Sequence, residues 1–270
     1  MIRPKRFLFY FLLGSFLSLF FPLTPARAED KADFELKRSS FVNRVRAYPL
    51  RVQSMEEMVS AYPHETFPLL ISLFKDSRET PALRYLAAQK LEQIDEGKSV
   101  RLFREILENR KEDVFARRAS LAELVRLNEK SVKEFIREII DDKTEDPALR
   151  QYALAIYSEW DERGKLEKLR NFVRSKQEPL NMRANALFLL ESLQDTEFVR
   201  STVRQFLKDR NESEELRKNC IVMAERLKDS DSLTLLRQIA QDPGEPVLLR
   251  ELSKATLSHL DQPDSVHART

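Results

Sequence analysis

Glycine is scarce in this sequence, with 4 among 270 residues. A phosphate-cradling nucleotide loop needs several glycines close together, so a site of that kind is excluded. Asn-Gly turns between alternating β-branched residues, the usual signal of a β-hairpin, are absent as well. Leu, Glu, Lys and Arg are abundant instead, and these residues lose little side-chain freedom in a helix. The composition predicts an all-α protein.

Cysteine and histidine are also scarce. The single cysteine, Cys220, excludes a disulfide bond within the chain. The histidines His64, His259 and His267 do not have the spacing of metal ligands. The sequence contains neither a His-Glu-x-x-His motif nor a Gly-x-Ser-x-Gly motif. We therefore expect no catalytic residues, no metal site and no cofactor, and we predict that the chain is not an enzyme.

The N-terminus differs from the rest of the chain. Residues 1–28 begin with three basic residues, continue with an apolar run over 7–23, and end in the tripeptide Ala26-Arg27-Ala28. This order is typical of a cleaved secretory signal peptide. A retained membrane anchor is the alternative, but the run is marginal for crossing a bilayer and Pro22 weakens a continuous helix. No second stretch approaches transmembrane length.

Net charge argues against a nucleic-acid partner. The whole chain has 46 basic and 44 acidic residues, a formal charge of +2. Removing residues 1–28 takes away four basic residues and no acids, which leaves 42 against 44 and a charge of −2. Nucleic-acid binding needs a net basic surface. We expect an exported protein, in a bacterial periplasm or secreted, without a nucleic-acid partner and without a membrane span after cleavage.

A tetrapeptide repeat sets the organisation of the chain. Pro-Ala-Leu-Arg occurs at Pro81–Arg84 and again at Pro147–Arg150, 66 residues later. An arginine follows the same phase through the chain in steps of 33 residues, with one step of 34. We call this set the arginine ladder; its members are Arg51, Arg84, Arg117, Arg150, Arg183, Arg217 and Arg250.

The residues around each ladder arginine predict a helix, which we call helix B. Positions −1, +7 and +10 relative to the arginine are apolar and position +3 is small, which places them along one stripe of a helix. A second apolar pair, such as Leu73-Phe74, ends ten residues before each arginine from Arg84 onward and marks helix A. One helix pair cannot bury both stripes alone, so the pairs must stack.

These features predict an α-solenoid of about seven stacked helix pairs. The predicted solenoid covers residues 38–262, after an N-terminal lead-in at 29–37 and before a disordered tail at 263–270. The one extra residue of the repeat falls in the connection around Gln194 to Thr196. A surface connection tolerates such an insertion.

The segment Asp146–Ala153 reads Asp-Pro-x-Leu-Arg-x-x-Ala and resembles the second helix of HEAT-like repeats. It is most similar to the shorter form found in bilin lyases and bacterial scaffold proteins. This is the only copy with the full Asp-Pro, and the usual glycine after helix B is mostly missing. The resemblance implies that helix B lines the concave side, where partners commonly bind. It also implies that the ladder arginines pair with carboxylates or carbonyls between adjacent units.

The arginine ladder allows a second interpretation. Guanidinium groups at a regular spacing could receive an acidic or phosphate-bearing ligand. We favour the structural role, because acids stand four or five residues before many of the arginines. Cys220 occupies the small +3 position, where the equivalent residues are Ala or Ser, so we expect a buried and poorly reactive thiol.

Apolar residues on the outward side of helix B are the candidate partner-binding residues. Phe188 and Val222 stand at position +5, where most repeats have Gln or Ala, and Tyr152 stands at +2 nearby. The alternative is that neighbouring helices bury these side chains. We predict an exported, non-catalytic interaction module or scaffold that binds a protein or peptide. Two other functions stay open: a lyase or chaperone-lyase for a chromophore, by analogy with the bilin lyases, and a structural envelope protein.

Overall fold

The computed structural model describes residues 25–160 and 163–260. The predicted signal peptide at 1–28 lies outside these residues except for its last four positions. The predicted tail at 263–270 lies outside them entirely. The lead-in predicted at 29–37 forms part of the first helix, α1, which spans Pro25–Val42. This helix packs against the next one, α2.

The described residues form fourteen α-helices and no strand, so the prediction of an all-α fold is confirmed. The helices after α1 are α2 Tyr48–Ala61, α3 Pro63–Lys75, α4 Pro81–Ile94, α5 Glu96–Glu108, α6 Val114–Arg126, α7 Val132–Asp141, α8 Pro147–Glu159, α9 Lys165–Arg174, α10 Leu180–Ser192, α11 Thr196–Lys208, α12 Glu214–Arg226, α13 Leu233–Gln241 and α14 Val247–Leu260. Odd numbers are the A helices and even numbers the B helices of successive pairs. A 3-10 turn, Ser230–Ser232, precedes α13.

Four of the B helices begin at a residue whose side chain caps the helix. Asp113 and Asp146 accept hydrogen bonds from two backbone N–H groups each at the starts of α6 and α8, and Thr80 and Ser213 accept one each at α4 and α12. Such caps satisfy N–H groups that have no partner inside the helix. The residues at position −4 therefore cap the N-terminal ends of these four helices.

Three B helices end in residues with left-handed backbone conformation although none of them is glycine. Asn128, Gln194 and Lys228 have φ angles of 51°, 61° and 47°. Each donates its N–H to a carbonyl three residues earlier, and the next residue donates to a carbonyl five residues earlier. This is the Schellman arrangement, in which glycine is the usual residue because it has no Cβ.

The apolar stripe of helix B is shorter than predicted. Positions −1, +3 and +7 are buried in most repeats, and position +4 is buried as well, as at Leu121 and Leu154. The expectation for position +10 is wrong: Leu127, Trp160 and Leu193 are only half-buried. The reason is that the helices end one residue earlier, so these side chains stand at the C-cap and leave the helical stripe.

The chain divides into two compact units, Met1–Glu96 and Gly97–Thr270. In the first unit, α1 packs against α2 and α3 against α4, and α2 contacts both α3 and α4. In the second unit, α7 pairs with α8, α9 with α10, α11 with α12 and α13 with α14. The B helices of the second unit also pack side by side in chain order from α6 to α14. The fold is an all-α solenoid of stacked helix pairs.

Candidate functional site

Six of the seven ladder arginines are buried, and five of them make the same two contacts within one unit of the chain. One contact goes back to a carbonyl ten residues earlier, at the end of helix A; Arg117 Nε, for example, lies 2.9 Å from the carbonyl oxygen of Leu107. The other goes forward to a glutamate at the end of the next A–B turn. The glutamate pairs within one unit of the chain are Arg51–Glu79, Arg117–Glu145, Arg150–Glu178, Arg183–Glu212 and Arg217–Glu245.

Four of these pairs have both guanidinium nitrogens on the carboxylate. In the Arg217–Glu245 pair, for example, Nη1 lies 2.6 Å from one oxygen and Nη2 lies 2.9 Å from the other. A bidentate pair of this kind fixes the angle as well as the distance between two groups. Within each unit, the ladder pairs therefore join one helix pair to the next, and these five guanidinium groups are already occupied by carboxylates of the chain.

The glutamates of the ladder were only partly found from the sequence. Their signal is a glutamate five residues before each arginine from Arg84 onward, and it includes Glu145 and Glu212, which were not recognised. In the sequence alone, the acids at positions −4 and −5 form one set that accompanies the arginines. In the structure the two positions have different roles: the residue at −4 caps helix B, whereas the glutamate at −5 binds the arginine of the preceding repeat.

Hydrogen bonds from the arginines change the ionisation of these glutamates. The Arg117, Arg183 and Arg217 guanidinium groups lower the pKa of Glu145, Glu212 and Glu245 below the ordinary value for glutamate. Burial acts in the opposite direction but is the smaller effect in each case. The carboxylates are therefore charged over a wider pH range than exposed glutamates.

A second series of arginines on the A helices was not recognised from the sequence. Arg104, Arg170 and Arg204 each pair with an acid 25 residues later, at the connection that follows the next B helix: Glu129, Asp195 and Asp229. Arg170 holds both oxygens of Asp195 at 2.8 Å. The signal was present, because arginine also occurs at 137 and 237 in the same phase.

The three candidate partner-binding residues lie on B helices of the second unit. Val222 is 38% exposed, and Tyr152 and Phe188 are half-buried. Phe188 and Val222 occupy equivalent positions of α10 and α12, which pack against each other. We call the outward side of α8, α10 and α12 that carries Tyr152, Phe188 and Val222 the B face.

Arginines cover part of both aromatic rings on the B face. The Arg118 guanidinium carbon lies 4.9 Å from the centre of the Tyr152 ring, and that of Arg226 lies 5.9 Å from the centre of the Phe188 ring. Arg226 also binds Glu191 at 2.9 Å, which holds its side chain beside Phe188. Both aromatic side chains are thus half-buried beside a guanidinium group.

Amide and carboxylate groups on the same helices make contacts to the neighbouring B helices. The Asn185 side-chain nitrogen donates to the backbone carbonyl of Gln151 at 3.4 Å. On α12, Glu225 contacts His259 at 2.7 Å and accepts a hydrogen bond from Thr256 at 3.1 Å. Apolar anchors within a polar surround are typical of protein-binding surfaces.

Cys220 is buried, and burial raises the pKa of its thiol to about 12. A thiol is nucleophilic only as thiolate, so this cysteine has the environment of a packing residue. Of the histidines, His64 is exposed, His259 binds Glu225, and His267 lies outside the described residues. The described part of the chain contains no cluster of His, Cys, Asp or Glu that could hold a metal ion.

A cleft of about 440 Å³ in the second unit lies beside the turns that join A helices to B helices. Its apolar side consists of Leu107, Phe135 and Ile139. Its two arginines are both paired with carboxylates, Arg110 with Asp142 and Arg117 with Glu145. These pairs belong to the contacts that join successive repeats.

Comparison with known proteins gives a likeness to solved structures and none to known sequences. No protein-family model matches the chain, and no curated protein sequence matches it. Among solved structures, the chain is similar to human deoxyhypusine hydroxylase in complex with glycerol, with 13% identity and a TM-score of 0.35 over 87% of this chain and 98% of that one. At that similarity no residue of the hydroxylase is assigned to a position of this chain.

This comparison corrects one expectation. The prediction that the chain is not an enzyme is wrong as a conclusion from the sequence, because the solved structure that it resembles is itself an enzyme. The prediction rested on the absence of known catalytic motifs, and such motifs are specific to particular folds.

Among the residues that the structure describes, no helix is both long enough and apolar enough to cross a membrane.

Proposed function

We propose that this chain is an exported scaffold of the HEAT-like type that binds a protein or peptide partner on the B face. The observation that carries the proposal is the row of partly exposed apolar side chains on adjacent B helices, ending in Phe188 and Val222. Stacked helices position these side chains rigidly, so little conformational entropy is lost when a partner binds.

The chemistry of the B face favours a polypeptide partner. Two aromatic rings and one valine supply apolar contacts, while Arg118, Arg226 and the amide of Asn185 supply hydrogen-bond donors beside them. A polypeptide has both kinds of complementary group, apolar side chains and carbonyl oxygens, at short intervals. Partly buried aromatic residues of this kind commonly carry most of the binding energy of an interface.

The export part of the proposal rests on the N-terminal sequence. Basic residues, an apolar run and the Ala26-Arg27-Ala28 tripeptide follow the order of a secretory signal. The remaining chain has only one cysteine and does not depend on disulfide bonds. We place the partner in the periplasm or outside the cell.

The experiment that tests this function is crosslinking and purification of the tagged protein from cells in which it is expressed with its own N-terminus. We expect a discrete partner polypeptide that is recovered with the parent chain and lost with Phe188→Ala. The matched control is Phe198→Ala on helix A of the next repeat. Phe198 is also half-buried and is also covered by arginine, with Arg170 and Arg174 at 5.2 and 5.0 Å.

The control separates loss of the B face from loss of stability. Both variants remove one phenylalanine ring from a similar environment, so a general effect on folding should weaken recovery in both. Recovery of the partner with Phe198→Ala and not with Phe188→Ala supports the proposal. Equal recovery with both variants, or recovery of this chain alone, contradicts it.

A further inference from the structure

Two successive B helices carry the same combination of side chains on the B face. Asn185 and Phe188 stand at positions +2 and +5 of α10, and Asn219 and Val222 stand at the same positions of α12. Residues three apart lie on one side of a helix, so each helix presents an amide beside an apolar group. All four side chains are partly exposed, and α10 packs against α12. The same amide–apolar site therefore occurs twice, side by side.

The amides of these sites have unused hydrogen-bonding groups. Within residues 25–160 and 163–260, the Asn219 side chain has no hydrogen-bond partner. Asn185 donates one N–H to the backbone carbonyl of Gln151 at 3.4 Å, which leaves its second N–H and its carbonyl oxygen. A side-chain amide has two donors and an acceptor, the same kinds of group as a peptide bond. Such amides can bind the backbone of a polypeptide whatever its side chains are.

The charged side chains next to the two sites are paired within the chain. Lys218 binds Glu215 at 2.6 Å, and Arg226 binds Glu191 at 2.9 Å. Each of these pairs brings together one positive and one negative group, so they add no net charge to the surface. The sites thus offer amides and apolar surface, which suit an uncharged backbone with apolar side chains.

The spacing of the B helices selects the conformation of such a backbone. The axes of packed helices lie about 8–10 Å apart. A polyproline II segment repeats every three residues over roughly 9 Å, so its residues i and i+3 face the same way at the spacing of adjacent helices. Residues on one side of an extended strand are instead roughly 7 or 13 Å apart. An α-helix satisfies its own backbone groups, whereas a polyproline II backbone has no internal hydrogen bonds.

We propose, on the basis of the proposed function above, that the B face binds a partner segment in the polyproline II conformation with apolar residues at every third position. Two of these residues contact Phe188 and Val222, and Asn185 and Asn219 bind the backbone beside them. Tyr152 extends the row by one helix, because α8 packs against α10. A proline-rich segment fits best, since it is already ordered in this conformation before it binds.

The first test is calorimetry of the exported protein with a blocked peptide of four Leu-Pro-Pro triplets. The control peptide has the same residues with its four leucines at alternating positions, so that no two leucines are three apart. We expect saturable binding of the triplet peptide at millimolar or lower concentration, and binding of the control peptide that is about fivefold or more weaker. No binding of the triplet peptide, or equal binding of both peptides, overturns the proposal.

The second test removes one amide from the B face. We expect Asn219→Ala to weaken binding of the triplet peptide by about fivefold, the size of effect that one hydrogen bond produces. The matched control is Gln205→Ala, which removes an exposed amide from α11, helix A of the same repeat. This variant should bind as the parent protein does. Equal affinities of the two variants contradict a role for Asn219.

The crosslinking experiment separates failure of this binding mode from failure of the proposed function. A partner that depends on Phe188, in a protein that does not bind the triplet peptide, overturns the polyproline II mode and leaves the proposed function standing. Recovery of no partner at all overturns the proposed function, and the binding mode with it.

Discussion

Arg183 and Glu212 form a buried bidentate ion pair across 29 residues of sequence, with nitrogen–oxygen distances of 2.9 and 2.7 Å. The equivalent pairs Arg117–Glu145 and Arg217–Glu245 span 28 residues. The extra residue lies in the connection between α10 and α11, around Gln194 to Thr196. The helices on both sides keep their pairing, so the insertion is confined to the surface connection.

Removing only one partner of this pair should strongly destabilise the folded protein. We expect Arg183→Gln or Glu212→Gln to reduce the free energy of unfolding by about 3–5 kcal/mol, because each leaves a buried charge without its partner. Replacing both residues, as Arg183→Gln with Glu212→Gln, should cost less than the two single changes together. Urea unfolding of the four proteins measures this, and strictly additive costs would contradict direct pairing.

Acid should weaken the same contact. The pKa of Glu212 is lowered in the folded protein from an ordinary value of 4.5, chiefly by the hydrogen bond from Arg183. Between the folded and unfolded pKa values the unfolded chain binds more protons, so the stabilisation is complete above about pH 4.5 and is lost as the pH falls through the folded value. We expect Glu212→Gln to flatten the acid limb of a stability–pH curve, measured by urea unfolding. An unchanged slope would count against the lowered pKa.

Glycine should stabilise the ends of the B helices. Gln194 and Lys228 adopt left-handed φ angles of 61° and 47°, which cost energy for residues with a Cβ. We expect Gln194→Gly and Lys228→Gly each to raise the free energy of unfolding by about 0.5–1 kcal/mol. Asn128→Gly should gain less, because asparagine tolerates this conformation better. As the reverse control, Gly164→Ala should destabilise the protein, since Gly164 has φ of 85°. Thermal melts measure this. If all four substitutions shifted the melting temperature in the same direction, the account of left-handed residues at these positions would be wrong.

The Cys220 thiol should be unreactive in the folded protein. It is fully buried, and its pKa of about 12 leaves little thiolate at neutral or mildly basic pH. We expect a thiol reagent such as Ellman's reagent to label Cys220 only in denaturant. Rapid stoichiometric labelling of the native protein would show that the packing at position +3 is looser than the structure has it.

The helix order and the repeat phase could be predicted because they depend on local patterns. Pro147 and Asp146, for instance, mark the start of α8 in the sequence, and both occupy the expected places. The two series of ion pairs were harder to predict, because Arg183 and Glu212 meet only through the stacking of successive repeats. Their regular spacing was visible, but the choice of partner depends on the packing of neighbouring helices.

The exposure of the B face could not be derived from periodicity. Position +5 faces outward in each B helix, but whether Phe188 is covered depends on the side chains of α12, such as Arg226, which folds over the ring. The prediction that position +10 is buried was wrong for a related reason. The helix α8 ends one residue earlier, so Trp160 leaves the apolar stripe. Tertiary contacts determine where a helix ends and where a long side chain lies, and the periodicity of apolar residues carries no information about those contacts.

The most direct test of partner binding on the B face is site-specific photocrosslinking in living cells. A photoreactive phenylalanine analogue replaces Phe188 in one protein and Phe198 in a second, each expressed with the native N-terminus. The account predicts a crosslinked product of discrete mass from position 188 and none from position 198. A product of the same mass from both positions, or from 198 alone, would contradict the placement of the partner on the B face.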